Sequence, residues 1–339
     1  MHTATATQDR PRSHFGHKMR RYDISIGNGQ HYYSLVNGVT DPGALNVEMD
    51  IQVISVDTPS GGSYVRIWGM GLAAISQTQS LFGKQISVSG GMAAGLPLAN
   101  PQQYGLLASG LVQQAFGNWI GVDQTLDIIF VAGSTPPTGG GPNPKPPEVN
   151  LSMNWLKGQP IQEALMQTLQ QGYPGVSISM NIAANITADQ DQKQPFTNLE
   201  QLGFWVRRYS QKLLGGDQSQ AQGVSIINPT YNSIVVFDGG ASGGGSVSYT
   251  DLIGQPTWIK PQTIQFKTVM RSDIHVGNIV TLPSTFNNVA AGAGYSTPPT
   301  PIAFSGSFQI IKVRHVGNYR QSTADAWVTI FDASTAGAV

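Results

Sequence analysis

The sequence contains no cysteine, which excludes disulfide bonds, thiolate metal sites and cysteine nucleophiles. It lacks any run of about 18 apolar residues, so no transmembrane helix is expected. No apolar segment follows the basic residues near the N-terminus, as a secretory signal peptide would require. Lysine plus arginine equals aspartate plus glutamate at 19 each. A chain with no net charge has no bulk attraction to nucleic acid or to an anionic membrane.

Charged residues are scarce: they make up 11% of the chain, against roughly 25% in ordinary soluble domains. Hydrophobic residues make up 40%, so the chain is expected to fold, with small polar residues covering its surface. A weakly charged surface is poorly protected against association. This composition fits a subunit whose surface is covered by partners, and it fits a Gly/Ser-rich secreted or β-rich protein equally well.

Residues 1–20 are predicted to form a flexible basic N-terminal arm. Up to residue 21 the chain holds one acidic residue, Asp9, and five basic residues. The basic residues are Arg10, Arg12, Lys18, Arg20 and Arg21. Such an arm is either a solvated tail or a segment that orders on an acidic neighbouring subunit. In the second case, replacing Arg20 and Arg21 with serine should weaken assembly more than folding.

Residues 21–133 have the pattern of an antiparallel β module. The clearest strand alternates apolar with polar side chains, which predicts one buried and one polar face. Its apolar residues are Leu45, Val47, Met49, Ile51 and Val53. Further strands are predicted at residues 22–26, 31–36, 63–68, 85–89, 106–119 and 125–132, with turn-forming sequences between them. A short helix is expected between Gly71 and Phe82.

Two segments rich in proline, glycine or serine divide the rest of the chain. Residues 134–148 are predicted to be a Pro/Gly linker, because their composition prevents both helix formation and ladder pairing. Residues 149–238 are predicted to form an α+β domain in the order β-α-β-α-β-β. Residues 239–248 are a predicted Gly/Ser linker, and residues 249–339 a second β module. The expected fold class is mainly β, with two antiparallel β modules flanking a small α+β insertion.

Two helices are expected in the α+β domain. The first covers residues 160–171, begins with Pro160 in the first turn and stops at Gly172. The second has a predicted capping box, in which Thr197 is the N-cap and Glu200 lies three residues further on. These helices are interpreted as packing elements rather than as parts of a site.

Motifs that carry chemistry are almost absent. Residues 69–74 match G-x-G-x-x-A, but the next predicted strand lacks the acid that a dinucleotide site needs. No P-loop, nucleophile elbow or zincin motif occurs. His14 and His17 have metal-ligand spacing without a third ligand nearby, and His315 is expected to be a partly exposed strand residue. We therefore predict no catalytic, cofactor-binding or metal-binding residue and no enzymatic activity.

Pairs of acidic residues and several aromatic residues are further candidates for a site. Glu48 and Asp50 share one strand face, and Asp189 and Asp191 lie in a polar loop. Two carboxylates on a solvent face more often confer solubility than catalysis. Four aromatic residues suit a sugar or base platform, but core or subunit packing is the preferred interpretation. They are Trp155, Phe204, Trp205 and Trp258.

Three segments near the C-terminal end carry a resemblance to a known family. They are residues 252–256 (LIGQP), 271–280 (RSDIHVGNIV) and 306–318 (GSFQIIKVRHVGN). With the order of the modules, they resemble the baseplate hub proteins of long-tailed bacteriophages, the late control protein D-like family. That family has a P-x-I-x-P-G-D loop, then a strand and a G-x-Y-x-V-x-x-V-x-H-x-G-D segment. Here Val276-Gly277-Asn278 replaces Pro-Gly-Asp, and Phe308 replaces the tyrosine.

The resemblance implies a structural protein of the virion, assembled in the host cytoplasm, whose β modules are each similar to a tail-tube subunit. A homotrimer then presents six such modules to the sixfold tail tube and threefold symmetry to the spike. The implied partners are further copies of the chain, the tail tube protein, the spike or cell-puncturing protein, the tape measure protein and the baseplate wedge proteins. DNA is implied only in transit, during ejection through the central channel. No cofactor is implied.

The low charge content fits such a ring, because strand edges sealed against neighbouring copies need no protective charges. A lumen that passes DNA without holding it should be near neutral. Other functions remain open. Some hub relatives carry lysozyme or peptidase domains, although no appended domain is expected here. A carbohydrate-binding or adhesin-type β protein fits the Gly/Ser-rich composition, and another tail-tube or tail-tip structural subunit is a further alternative.

Overall fold

The computed structural model describes ten stretches of the chain. They are residues 20–27, 29–57, 62–92, 103–133, 149–182, 185–214, 223–238, 244–260, 262–283 and 306–335. The predicted linker at 134–148 and the histidines His14 and His17 lie outside the described residues, as does the predicted arm up to residue 19.

The first β region contains nine strands within the described residues, with one short helix. The strands are β1 (Arg20–Ile26), β2 (Gln30–Tyr33), β3 (Leu35–Val36), β4 (Val39–Thr40), β5 (Val47–Ile54), β6 (Ser63–Trp68), β7 (Gln85–Met92), β8 (Gly105–Ile120) and β9 (Asp123–Ala132). Helix α1 (Leu72–Ser76) lies between β6 and β7, inside the interval in which a short helix was predicted.

The α+β region has the order β-α-β-β-α-β-β, one strand more than predicted. Its elements are β10 (Leu151–Trp155), α2 (Ile161–Gly172), β11 (Ser177–Asn181), β12 (Gln192–Phe196), α3 (Leu199–Leu213), β13 (Ser225–Thr230) and β14 (Ser233–Phe237). The additional strand is β12, which pairs with β10. Its sequence QKQPF shows no apolar alternation, because only its two end residues are buried.

The last β region contains six strands in the described part of the chain. They are β15 (Gly244–Ser246), β16 (Thr257–Lys260), β17 (Thr263–Val269), β18 (Ile279–Leu282), β19 (Gly306–Asn318) and β20 (Trp327–Thr335). Strand β15 lies within the predicted Gly/Ser linker and pairs in parallel with β18. Backbone pairing of this kind needs no side chain, so the glycine-rich composition did not reveal it.

The first and last β regions are joined in one sheet of 13 strands. Its main path runs β16-β17-β20-β19-β5-β6-β9-β8-β7-β1-β2, and the central link is the antiparallel pairing of β19 with β5. The prediction of a mainly β fold with an α+β insertion is confirmed. One buried apolar cluster runs through both β regions, and a second fills the α+β region. The alternation predicted for β5 is observed, since Val47, Met49, Ile51 and Val53 all face the core.

The α+β region attaches where β5 ends. Ser55 forms a β-bridge with Ile227 of β13, and the Arg207 guanidinium lies 2.8 Å from the Asp57 carboxylate. These contacts hold the α+β region beside the C-terminal end of β5.

Two local sequence predictions are corrected by the structure. The N-cap of α3 is Asn198, whose side chain accepts a hydrogen bond from the Gln201 backbone N–H at 2.8 Å, rather than Thr197 of the predicted capping box. Arg20 and Arg21 belong to β1 and pair with Met92 and Gly91 of β7.

The two arginines therefore contribute to the folded body. The Arg20 guanidinium donates to the backbone carbonyls of Asn318, Tyr319 and Gln321, and the Arg21 guanidinium lies 3.7 Å from the centre of the Tyr104 ring. Replacing them is therefore expected to affect folding as well as any assembly.

Candidate functional site: a charge-paired sheet face between two free edges

Two long strands of the sheet are each divided into two halves with different neighbours. In β19, residues 306–309 pair with β18 and residues 312–318 pair with β5. In β8, residues 105–111 pair with β7. Both strands also pair with the strand that follows them in the sequence, β19 with β20 over residues 308–317 and β8 with β9 over residues 110–120. The two β regions are therefore built on the same plan.

The junction between the regions uses the second half of β19. Seven residue pairs join it to β5, from Lys312 opposite Ile54 to Asn318 opposite Glu48. Gly317 is required here, because a Cβ at this position would lie 2.7 Å from the Trp327 ring. The junction is a continuous antiparallel ladder rather than a loose contact between two modules.

The corresponding half of β8 has no such partner. Among the described residues, no strand pairs with residues 113–120 on the side opposite β9. This half-strand, the β8 edge, carries Phe116 and Trp119 with exposed fractions of 36% and 63%. An exposed, partly apolar strand edge is a template for pairing with another chain.

Strand β16, at one end of the main path of the sheet, provides a second edge. Strand β16 pairs with β17 on one side, and all four of its residues are exposed, including Ile259 at 42%. From β16 to β8, both included, eight strands follow one another without a break. This run of eight strands is therefore bounded by β16 on one side and by the β8 edge on the other.

One face of these eight strands covers the apolar core, and the other, which we call the open face, carries the polar side chains. The strand registers place ten charged residues on the open face, five of each sign. The cations are Arg66, Lys260, Lys267, Lys312 and Arg314, and the carboxylates are Glu48, Asp50, Asp123, Asp127 and Asp332. The open face therefore has a net charge of zero.

The two arginines of the open face each donate two parallel hydrogen bonds to one carboxylate. Arg66 donates from Nε and Nη2 to the two oxygens of Asp127, at 2.6 and 2.8 Å. Arg314 donates in the same way to Asp50, at 2.8 and 2.5 Å. Bidentate pairs of this kind are the strongest geometry available to a guanidinium. The Arg314–Asp50 pair also crosses the β19–β5 junction.

Amide side chains complete the pairing of the carboxylates. Asn118 donates to Asp127 at 2.7 Å, Asn318 donates to Glu48 at 2.9 Å, and Gln265 donates to Asp332 at 2.8 Å. Lys267 lies 3.4 Å from Asp325, at the rim. Glu48 and Asp50, which the sequence suggested as a solubilising pair, thus form hydrogen bonds to side chains of a neighbouring strand.

The pKa values of these groups follow from the pairing. The hydrogen bonds to Asp127 raise the pKa of Arg66, and the hydrogen bonds to Asp50 raise the pKa of Arg314. Burial, helped by the Asp127 charge, raises the pKa of Tyr64 to about 12. Both arginines are therefore cationic at neutral pH.

The structure also has a cavity of about 330 Å³ between the α+β sheet and the large sheet. Its walls include Leu106, Ser179, Asn181 and Val235, and its one titratable lining residue is His275, whose pKa is lowered by burial. A single imidazole without a second acid or base offers no acid–base pair for catalysis. Within the described residues, no group of three or more potential metal ligands occurs.

The C-terminal motifs form turns and buried contacts. Gly277 has φ +91° and its N–H donates to the Ile310 carbonyl at 2.7 Å, while Asn278 Oδ1 accepts from the His275 N–H. Arg271 is fully buried and pairs with Asp273 at 2.5 Å and with Asp251 at 3.2 Å. These residues stabilise the fold and show no open ligand site.

His315 is buried, and the prediction of partial exposure is wrong. Its Nδ1 lies 2.9 Å from Thr329 Oγ1, and burial lowers its pKa to about 3, with a smaller contribution from His275. The side chain faces the core because it lies on the same face of β19 as Val313 and Gly317.

The remaining candidates do not converge. Residues 69–74 follow β6, which pairs antiparallel with β9, so the parallel unit of a dinucleotide site is absent there. Asp189 accepts from Tyr209, and Asp191 accepts from the Lys157 N–H. Trp155 is buried in the α+β core beside Trp205, whereas Phe204 and Trp258 are exposed on separate elements.

The charge-paired face and the β8 edge were not predicted from the sequence. The alternation of β5 placed Glu48 and Asp50 on a polar face, but their partners lie far away in the chain. The length of β8, 16 residues, does indicate an unpaired edge, because a strand of that length extends beyond neighbours of ordinary length.

No protein-family model and no curated protein matches the chain. It is similar to the solved structure of a tail protein from Neisseria meningitidis MC58, with 10% identity, a TM-score of 0.46, and coverage of 94% of this chain and 96% of that one. The 43 kDa tail protein of prophage MuSo2 from Shewanella oneidensis is 8% identical, with a TM-score of 0.47 and coverage of 94% and 97%.

A third similar structure is the c3393 protein of E. coli, a component of the type VI secretion system with structural similarity to the T4 bacteriophage tail proteins gp27 and gp5. It is 10% identical, with a TM-score of 0.46 and coverage of 92% of this chain and 76% of that one. TM-scores below 0.5 establish neither a shared family nor a shared function. None of the helices in the described stretches is long and apolar enough to cross a membrane.

Proposed function

We propose that this chain is a structural hub subunit of a phage-type tail. Three copies form a ring that joins the sixfold tail tube to the threefold spike and encloses part of the DNA channel. The observation that carries the proposal is the contrast between the two long strands. The second half of β19 pairs with β5, whereas the same half of β8 is a free edge in the isolated chain.

The missing partner of the β8 edge is β16 of a second copy. Within one chain the β5–β19 ladder joins the two β regions, and β16 lies at the far end of the same sheet. Pairing β16 of one copy with the β8 edge of the next repeats that ladder between chains. Such a contact joins two different surfaces, and three successive contacts form a ring when each rotates the next copy by one third of a turn.

The dimensions suit a channel. Three copies of eight strands give a barrel of 24 strands, and the family resemblance supplies the number three. With strands 4.7–4.9 Å apart and tilted by 35–45°, the backbone diameter is roughly 44–53 Å. The opening that remains inside the inward-pointing side chains still exceeds the width of a DNA duplex. The open face then lines the lumen.

The proposed partners are the tail tube protein on one rim and the spike or cell-puncturing protein on the other, with tape measure and baseplate wedge proteins around them. The role is mechanical and needs no catalytic residue or cofactor. The proposed location is the tail baseplate of the virion.

The test is the mass of the full-length protein in solution, measured by mass photometry, with one variant at the β16 edge. Ile259→Lys places a charge on the exposed edge, where it opposes pairing with another chain. We expect the unmodified chain to form particles of three times its own mass, and Ile259→Lys to remain largely monomeric.

Val39→Lys is the matched control, because Val39 is 69% exposed and lies on β4, which pairs with β3 in a separate two-stranded sheet. It should form trimers like the unmodified chain and melt at nearly the same temperature as that chain, since exposed substitutions change stability by about 0.5 kcal/mol or less. Monomeric Ile259→Lys lacks the stabilisation that assembly adds, so its melting temperature is compared with that of the unmodified chain diluted until it is monomeric. A chain that stays monomeric at high concentration, or an Ile259→Lys variant that still forms trimers, contradicts the proposal.

A further inference from the structure

The open face combines two properties that normally exclude one another. It holds guanidinium groups, which bind phosphate with two parallel hydrogen bonds, and it is proposed to line a passage for DNA. Unpaired arginines on such a wall would retain the duplex, because each phosphate contact releases counterions and adds affinity.

In the structure, the paired N–H donors of both guanidinium groups are already bonded to carboxylates. The Nε and Nη2 donors of Arg66 are bonded to Asp127, and those of Arg314 are bonded to Asp50. A phosphate must displace a carboxylate before it can bind either guanidinium group in the same way. Asp127 is almost fully buried beneath Arg66, so this displacement leaves a buried charge without its partner.

The two arginines are still accessible to a polyanion. The side chains of Arg66 and Arg314 are 33% and 41% exposed, so each has part of its surface on the solvent side of the sheet. Removing a carboxylate therefore frees a cation that can reach a duplex running along the face. The arginines themselves are retained because they tie neighbouring strands together, and Arg314 ties the two β regions.

We propose that Asp50 and Asp127 mask Arg314 and Arg66 from the phosphates of DNA, so that the duplex slides along the open face without being held. The inference rests on the proposed function, because it assumes that this face lines the channel. It adds a role for four named residues: the aspartates prevent binding, and the arginines are the sites at which binding would otherwise occur.

The experiment measures the affinity of the full-length protein for a fluorescently labelled DNA duplex by anisotropy, between about 50 and 200 mM salt. The main variant is Asp50→Asn, because Asp50 is partly exposed and its loss perturbs the fold less than loss of Asp127. We expect the unmodified chain to bind weakly and Asp50→Asn to bind at least about tenfold more tightly. The slope of log K against log salt should steepen by about 0.9 for each new phosphate contact.

Two controls separate masking from a change in net charge. Glu163→Gln removes one negative charge at an exposed position on α2, and it should bind DNA as weakly as the unmodified chain. The double variant Asp50→Asn with Arg314→Gln removes the freed cation, and it should return to the weak affinity. If Asp50→Asn gains no affinity, or if Glu163→Gln gains as much, the inference is overturned.

Mass photometry of the same samples keeps the inference separate from the proposed function. A trimeric Asp50→Asn variant with no gain in DNA affinity refutes masking and leaves the ring intact. A monomeric unmodified chain refutes the ring, while the comparison of Asp50→Asn with its two controls still decides whether the aspartates mask the arginines.

Discussion

At the scale of single residues, His315 is the clearest case of a group whose ionisation opposes folding. It is buried in the β19–β20 ladder, and burial lowers its pKa to about 3. A pKa that is lower in the folded state gives stability that is fully present above about pH 6.5 and is lost as the pH falls towards 3. His275, whose pKa is also lowered by burial, acts in the same direction.

We therefore expect the free energy of unfolding to fall by about 2 kcal/mol between pH 7 and pH 5 because of His315. Urea unfolding at several pH values measures this loss. In His315→Asn, where the amide can still donate to Thr329, the protein should be less stable at pH 7 but should lose less stability on acidification. Equal pH dependence in the two proteins would show that His315 does not titrate as its burial requires.

The residue scale also shows what the sequence could not predict. The Arg314–Asp50 and Arg66–Asp127 pairs join strands that are 264 and 61 residues apart. Local alternation tells which face of a strand is polar, but it carries no information about which strand lies beside it. The polar face of β5 was therefore predictable, and its partners were not.

At the scale of elements, the N-cap of α3 differs by one residue between the prediction and the structure. The predicted capping box assigned the N-cap to Thr197, whereas the structure assigns it to Asn198, with Gln201 as the donor. Threonine and asparagine are both favoured at the N-cap, and a sequence pattern does not fix the start of a helix to within one residue.

We expect Asn198→Ala to lower the free energy of unfolding by about 1 kcal/mol, because it leaves the Gln201 N–H without its side-chain acceptor. Thr197→Ala should have a smaller effect, since the Thr197 hydroxyl bonds to the Gln201 side chain at the exposed surface. Thermal unfolding of the two variants provides the comparison. A larger loss for Thr197→Ala would restore the predicted box.

At the scale of the whole molecule, the two free edges make a direct prediction for hydrogen exchange. Backbone amides that pair across copies are protected only in the ring. In residues 113–120 and 257–260, the alternate amides that point away from β9 and β17 should therefore exchange slowly in the assembled protein and faster in monomeric Ile259→Lys. Residues 312–318 pair within one chain and should be protected in both samples. Rapid exchange of residues 113–120 in the assembled protein would contradict pairing at the β8 edge.

The β5–β19 ladder has a consequence for the synthesis of the chain. Strand β5 leaves the ribosome long before its neighbour, because Asp50 and Arg314 are 264 residues apart. At about 5–20 residues per second, the β5 edge waits roughly 13–53 s for β19 to be made. During that time the nascent chain presents an incomplete sheet to the crowded cytosol. Polysomes that make many copies side by side therefore risk premature pairing between unfinished chains, and a chaperone that covers β5 until β19 arrives would increase the yield of correctly folded subunits.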